Sequence, residues 1–179
     1  MAQAPRAGSM NRAGITLLAS GGAIGIIALS SLVRVDPILI WNASASVPIG
    51  FYAVHDLETP NHGDLVVLDP PPALSNWLLK NGYLGANVPL IKHVGALPGQ
   101  EVCRTELTIS IDNRVVGTAK SHDRFNRPLP VWQGCHKLAD DQIFFLNAAE
   151  PSSLDGRYFG PLPADTIIGR VVPIWTRRG

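Results

Sequence analysis

An uncharged segment near the N-terminus constrains this chain more than any other sequence feature. Residues 13–33 contain no acidic or basic side chain. A helix of that length, rising about 1.5 Å per residue, matches a bilayer core of about 30 Å. We therefore predict a transmembrane anchor at 13–33, preceded by a short N-terminus at 1–12 and followed by a separate domain at 34–179.

The charges around this segment predict its orientation. Two arginines precede it, whereas Arg34 behind it is offset by Asp36. The positive-inside rule then leaves the N-terminus in the cytoplasm and the domain on the outer side of the membrane. The alternative is a cleaved secretory signal with Ala43-Ser44-Ala45 as its cleavage site. That site lies ten residues beyond Val33, which favours a retained anchor.

The composition limits which partners and which fold class we expect. Lys and Arg number 15 against 14 for Asp and Glu, so no basic face is expected for nucleic acid. Fifteen prolines and 17 glycines are scattered along the chain without a repeat. They favour short strands joined by turns over long helices.

The apolar runs predict a domain that is mainly β. Asp112-Asn113 is a two-residue hairpin turn, and an apolar stripe of Leu74, Trp77 and Leu78 predicts one helix at 73–81. We therefore expect a small antiparallel sheet or barrel. Its strands are predicted at 50–54, 64–68, 89–94, 101–103, 107–111, 114–116, 143–146 and 167–174.

Both cysteines lie in the domain placed outside the membrane. Cys103 and Cys135 are 32 positions apart, which predicts a disulfide in an oxidising compartment. The alternative is two separate buried thiols. Neither belongs to a C-x-x-C pair, and no His or acidic residue stands at metal-ligand spacing, so we expect no metal site and no cofactor.

Residues 42–52 contain a candidate nucleophile. Ser46 is followed by Pro48 and Gly50, which fix a sharp, exposed backbone directly after the anchor. The alternative is an ordinary turn, for which Ser, Pro and Gly are common.

Residues 90–102 contain a candidate base. Lys92 follows apolar Leu90 and Ile91 and precedes Val94. Apolar surroundings lower the pKa of a lysine, so its neutral amine can accept a proton. The alternative is a solvated surface charge.

A late segment at 152–161 is polar. Asp155 and Arg157 lie two positions apart and could form a structural ion pair, while a nearby hydroxyl could orient the lysine amine. By itself, this segment is typical of a polar loop.

In this order, the three segments resemble the signal peptidase I family, most closely its conjugative-transfer (TraF-type) branch. The resemblance extends from the anchor to about Pro173. The motifs are Ser44-x-Ser46-x-Pro48-x-Gly50-x-Tyr52, Gly63-Asp64-Leu65-Val66, Lys92 with Val94-Gly95 and Pro98-Gly99, and Ser153-x-Asp155-x-Arg157-Tyr158-Phe159-Gly160.

The resemblance implies a role for each matching residue. Ser46 would be the nucleophile and Lys92 the general base. Ser44 would line the oxyanion site and Ser153 would orient the lysine, while Asp155 and Arg157 match the structural pair. His93, Gln100 and Gly156 replace the Arg, Asp and Ser of leader peptidases, which favours the conjugative branch.

The resemblance also implies a function: a membrane-bound serine endopeptidase on the periplasmic face of a bacterial inner membrane. Its substrate would be an exported precursor, such as a conjugative pilin propeptide, and its machine a conjugation or type IV secretion apparatus. The acceptor would be water or the amine of the substrate, the latter giving a cyclic pilin. The alternatives are a general signal peptidase and a non-catalytic periplasmic assembly factor.

Four aromatic residues are candidates for contact with lipid. Phe51, Tyr52, Trp132 and Trp175 could lie at the membrane interface, where aromatic rings are enriched. The alternative for each of them is packing in the core.

Overall fold

The computed structural model describes residues 12–30 and 38–177, and the chain divides into two compact units, Met1–Asp36 and Pro37–Gly179. The described part of the first unit is helix α1 (Arg12–Ser30), whose apolar side chains are largely exposed. Residues 31–33 of the predicted anchor lie outside the described residues. No helix in the described ranges is both long and apolar enough to cross a membrane.

The second unit is mainly β, as predicted. Its elements are β1 (Leu39–Asn42), β2 (Gly50–His55), β3 (Leu65–Leu68), α2 (Pro72–Lys80), β4 (Leu90–Ala96), β5 (Glu101–Thr105), β6 (Thr108–Ile111), β7 (Arg114–Thr118), β8 (Gly134–Lys137), β9 (Gln142–Phe145), α3 (Gly156–Phe159), β10 (Leu162–Pro163), a 3-10 turn (Ala164–Thr166) and β11 (Ile167–Thr176).

The larger sheet has seven antiparallel strands in the order β1-β2-β11-β3-β4-β9-β10. β1 is therefore an edge strand. β4 pairs with β3 along Leu90–His93, but with β9 only at Val94 and Ala96. The first half of β4 consequently lies beside the segment that follows β9.

The smaller sheet has the order β7-β6-β5-β8. The predicted turn at Asp112 and Asn113 joins β6 to β7, and both residues adopt the positive φ that such a turn requires. Cys103 and Cys135 face each other on β5 and β8 and form the predicted disulfide. The guanidinium of buried Arg104 on β5 donates to the carbonyl of Arg157 at 2.6 Å, which ties this sheet to α3.

Strands β3 and β4 are covered on both faces. Val67 and Ile91, which are paired in register, pack with one apolar cluster, whereas Val66 packs with the cluster on the other face. Side chains alternate between faces along a strand. A residue paired with Val66, such as Lys92, therefore faces a buried layer.

The predicted helix is confirmed, starting one residue early. Pro72 stands at its first turn, where the missing N–H costs nothing, and the side chain of Asn81 donates to the carbonyl of Trp77 at its end. Two of the four aromatic candidates for lipid contact pack against the core of the domain. Tyr52 is 1% exposed, and half-buried Trp132 packs on the core and donates to the carbonyl of Gly156.

Candidate active site

The segment after β1 folds around the side chain of Asn42. This buried residue donates through Nδ2 to the carbonyls of Ser44 at 2.8 Å and Val47 at 3.0 Å. Its Oδ1 accepts from the backbone N–H and the hydroxyl of Ser44, at 3.1 and 2.9 Å. One buried amide therefore fixes the backbone that carries Ser44 and Ser46.

Ser46, the predicted nucleophile, lies half-buried on this loop beside buried Val47. Its Oγ is 2.8 Å from Ser44 Oγ. Ser44 already donates its single hydroxyl proton to Asn42 Oδ1, which can only accept. Ser46 is therefore the donor in the bond between the two serines, and its hydroxyl proton points to Ser44.

Lys92, the predicted base, is 3% exposed on β4. Its Nζ donates to Ser153 Oγ at 3.0 Å, as the resemblance implies. Burial lowers the pKa of Lys92 from 10.5 to about 8; the Asp155 carboxylate opposes this effect and the Arg157 guanidinium adds to it. At pH 7 about a tenth of the molecules then carry the neutral amine.

Asp155 and Arg157 form the predicted ion pair, and both are 1% exposed. The guanidinium donates from Nε and Nη2 to the two carboxylate oxygens, each at 2.9 Å. Nη2 also donates to the carbonyls of Glu150 at 2.7 Å and Ser153 at 3.2 Å. This two-pronged pair shapes the loop that presents Ser153 to Lys92.

Asn147, just after β9, joins these parts. Its Nδ2 donates to the carbonyl of Ser46 at 2.9 Å and reaches Ser153 Oγ at 3.4 Å. Its Oδ1 accepts from the backbone N–H of His93 at 3.0 Å. Asn147 is 3% exposed, so the serine loop, the lysine strand and the late loop meet at one buried amide.

The structure thus brings the predicted site residues into one network. Among the hydrogen bonds of the described residues, none joins Ser46 Oγ directly to Lys92 Nζ: Ser46 bonds Ser44, and Lys92 bonds Ser153. The connection between the two runs through Asn147, which contacts Ser46 and Ser153.

Asn42 and Asn147 were missed as site residues in the sequence. Each is the first polar residue after an apolar run, Ile38–Trp41 and Ile143–Leu146 respectively. A lone Asn directly after an apolar run can mark such a residue, because an amide that becomes buried must find hydrogen-bond partners. What those partners are depends on strand pairing that the sequence does not display.

One cluster in the described residues has the composition of a metal site. Glu101, Cys103 and Cys135 lie together. Both sulfurs are joined in the disulfide, so neither can serve as the thiolate that metal binding requires.

Comparison with known proteins assigns the chain to a family. The family model described as signal peptidase, peptidase S26, matches residues 13–176. The chain belongs to the signal peptidase family. Within it, the similarity to conjugal transfer proteins places the chain in the TraF-type branch, which confirms the resemblance seen in the motifs.

Several members of the signal peptidase family show the range of this similarity. A conjugal transfer protein TraF from Agrobacterium fabrum is 35% identical over 147 residues, covering 75% of this chain and 81% of that protein. A plasmid transfer protein TraF from Escherichia coli is 25% identical, with the same coverage. A signal peptidase I from Leptolyngbya laminosa is 29% identical, covering 68% of this chain and 56% of that enzyme.

A crystal structure of a signal peptidase I from Enterococcus faecalis also matches. Its TM-score is 0.39 at 18% sequence identity, and the match covers 65% of this chain and all of the solved one.

Proposed function

We propose that this chain is a serine peptidase in which Ser46 is the nucleophile and Lys92 the general base. The observation that carries this proposal is the state of Lys92, a buried amine with its pKa lowered to about 8 and held by Ser153. A lysine in that state exchanges its proton near neutral pH.

The reaction has two halves. Ser46 Oγ attacks the scissile carbonyl carbon while neutral Lys92 takes the hydroxyl proton, and the C–N bond breaks as Lys92 returns that proton to the leaving amine. The resulting ester on Ser46 is then attacked by water or by an amine. Lys92 takes the proton of that acceptor and returns it to Ser46 Oγ, which restores the enzyme.

The first step requires a change at Ser46. Its hydroxyl points to Ser44, so it must turn to Lys92 Nζ when substrate binds. Catalytic hydrogen bonds often form fully only in the substrate complex. Asn42 fixes the loop backbone through three carbonyl contacts, so we expect this change to be a rotation of the Ser46 side chain.

The oxyanion would be stabilised by the Ser46 backbone N–H and the Ser44 hydroxyl. Each such donor lowers the activation free energy by roughly 3 kcal/mol. Ser44 now donates to Asn42 Oδ1, which also accepts from the Ser44 backbone N–H. Asn42 therefore keeps one bond with Ser44 when that hydroxyl turns to the substrate.

The substrate we propose is an exported precursor, in the first place a conjugative pilin propeptide. The curated relatives are named for conjugal and plasmid transfer. The edge strand β1 leads directly into the serine loop, so an extended substrate can pair with it and place a carbonyl near Ser46. Water as acceptor would give a linear product, and the substrate's own amine a cyclic one.

We further propose that the chain is attached to the inner membrane, with residues 1–12 cytoplasmic and the peptidase unit periplasmic. In α1, Leu17 and Ile26 are more than 70% exposed, as in a helix with an apolar partner. In the second unit, Trp41, Phe51 and Trp175 form an exposed aromatic patch, in which Trp41 lies 4.7 Å from Phe51 and 6.3 Å from Trp175. Alkaline carbonate extraction tests attachment, and release into the soluble fraction would contradict it.

The test of function is processing of a co-expressed pilin precursor, read by mass spectrometry. Ser46→Ala and Lys92→Ala should each reduce processing roughly a thousandfold or more. Half-buried Ser75 and exposed Lys80 on α2 provide matched controls as Ser75→Ala and Lys80→Ala. A product lighter by one water indicates cyclisation.

Other results would favour the alternatives. Unchanged processing by folded Ser46→Ala or Lys92→Ala supports a non-catalytic assembly factor. Rescue of a strain depleted of its own leader peptidase supports a general signal peptidase.

A further inference from the structure

Asn147 is placed to do more than fill the core. Its side chain bonds the carbonyl of Ser46, a residue 101 positions away in the chain, and also the backbone of His93 beside Lys92. Its own backbone N–H donates to Asp155 Oδ2 at 3.0 Å, and its carbonyl accepts from Arg157 Nη2 at 3.4 Å. The buried ion pair therefore holds the Asn147 backbone, and the Asn147 side chain holds Ser46.

The orientation of this amide is fixed by its partners. The backbone N–H of His93 can only donate, so the amide oxygen must face it. The carbonyl of Ser46 can only accept, so the NH2 group must face Ser46. His93 Nδ1, 3.0 Å from the same oxygen, therefore acts as a donor to it.

We propose that Asn147 is a positioning residue that sets the place of Ser46 relative to Lys92. The inference rests on the proposed function, since it assigns the distance between nucleophile and base to one amide. Asn147 touches neither reacting atom. It holds the main chain of Ser46, whose N–H is the proposed oxyanion donor, and a displacement of about 1 Å at such a position costs on the order of 100-fold in rate.

Two substitutions separate positioning from simple packing. Asn147→Ala removes the bonds to Ser46 and His93, and we expect kcat to fall roughly 100-fold with a much smaller change in KM. Asn147→Asp keeps the shape but sets a carboxylate oxygen against the Ser46 carbonyl oxygen, which repels it. We expect a comparable fall in kcat.

The aspartate also changes the charge near Lys92. The groups that already act on its amine are Asp155 and Arg157, and His93 lies next to it on β4. A further anion favours the protonated amine. The rate should therefore begin to rise at a higher pH in Asn147→Asp than in the wild type, but at an unchanged pH in Asn147→Ala.

The experiment uses the full chain in detergent and an internally quenched peptide with alanines before the scissile bond. kcat, KM, the pH profile and thermal unfolding are measured for wild type, Asn147→Ala, Asn147→Asp, Ser46→Ala, Lys92→Ala and the control Asn61→Ala, whose amide is exposed. Where the alanine variant does not fold, the isosteric aspartate variant decides through its kcat and its pH profile.

The outcomes are distinct. The inference is supported if kcat falls in both well-folded Asn147 variants and if the pH profile of the rate moves to higher pH only in Asn147→Asp. If Ser46→Ala and Lys92→Ala are inactive but Asn147 variants keep the wild-type kcat and profile, the inference is overturned and the proposed function stands. If Ser46→Ala or Lys92→Ala retains activity, the proposed function itself fails.

Discussion

Replacing Lys92 with methionine should make the protein more stable at neutral pH while removing its proposed chemistry. The side chain is 3% exposed and its pKa falls from 10.5 to about 8 because of burial. The unfolded chain therefore keeps this proton to a higher pH than the folded chain does. The contribution of Lys92 to stability is therefore least favourable below about pH 8 and becomes more favourable as the pH rises from about 8 to about 10.5.

The size of this effect follows from the difference between the pKa of Lys92 in the unfolded chain and in the folded chain. At about 1.36 kcal/mol per pH unit, burial of the charged amine costs on the order of 3 kcal/mol below the folded-state pKa. Methionine avoids this cost but loses the bond from Lys92 to Ser153, worth about 1 kcal/mol. We expect Lys92→Met to be about 2 kcal/mol more stable than wild type at neutral pH, with the advantage shrinking as the pH rises.

Urea denaturation followed by circular dichroism, at several values between about pH 7 and about pH 10, measures this difference. The control is Lys80→Met on the surface of α2, which should show no such pH dependence. A Lys92→Met protein less stable than wild type at pH 7, or a difference constant over the range, would refute the reasoning.

Three further stability predictions follow from single contacts. Joint replacement of Cys103 and Cys135 by serine opens a cross-link between positions 32 apart and should cost about 3 kcal/mol in urea denaturation; added reductant should then have no further effect. Asp155→Asn strips the buried Arg157 of its anion and should cost about 3–5 kcal/mol in thermal unfolding, whereas exposed Asp140→Asn should cost little. Gly156→Ala sets a methyl 2.7 Å from the Phe145 carbonyl oxygen and should cost about 1–3 kcal/mol, unlike Gly25→Ala, whose methyl meets no neighbour. If any of these three variants is as stable as the wild type, the contact that it removes or crowds does not contribute as proposed.

Much of the sheet could be predicted because its strands are locally apolar. β3 and β4 are buried on both faces, and their runs of Leu, Val and Ile display this directly. β8 was missed because all four of its residues are exposed, so no alternation marks it. Its pairing with β5, at the disulfide, is a long-range feature that no local pattern carries.

The site also has features that the sequence could predict and others that it could not. The apolar neighbours of Lys92 predicted a buried amine, and its contact with Ser153 followed from the resemblance. The place of Asn147 could not be predicted, because its partners come from segments far apart in the chain. The direction of the Ser46 hydroxyl depends on the bond between Ser44 and the Asn42 side chain, which no apolar pattern in the sequence predicts.

The most direct test of the central claim is to trap the acyl-enzyme. The full chain is incubated with an acylating peptide ester and digested, and the modified residue and its rate of formation are read by mass spectrometry. The account predicts an adduct on Ser46 that forms faster as the pH rises through about 8, and that forms far more slowly in Lys92→Met. An adduct on another residue, or an equal rate on Ser46 in Lys92→Met, would contradict it.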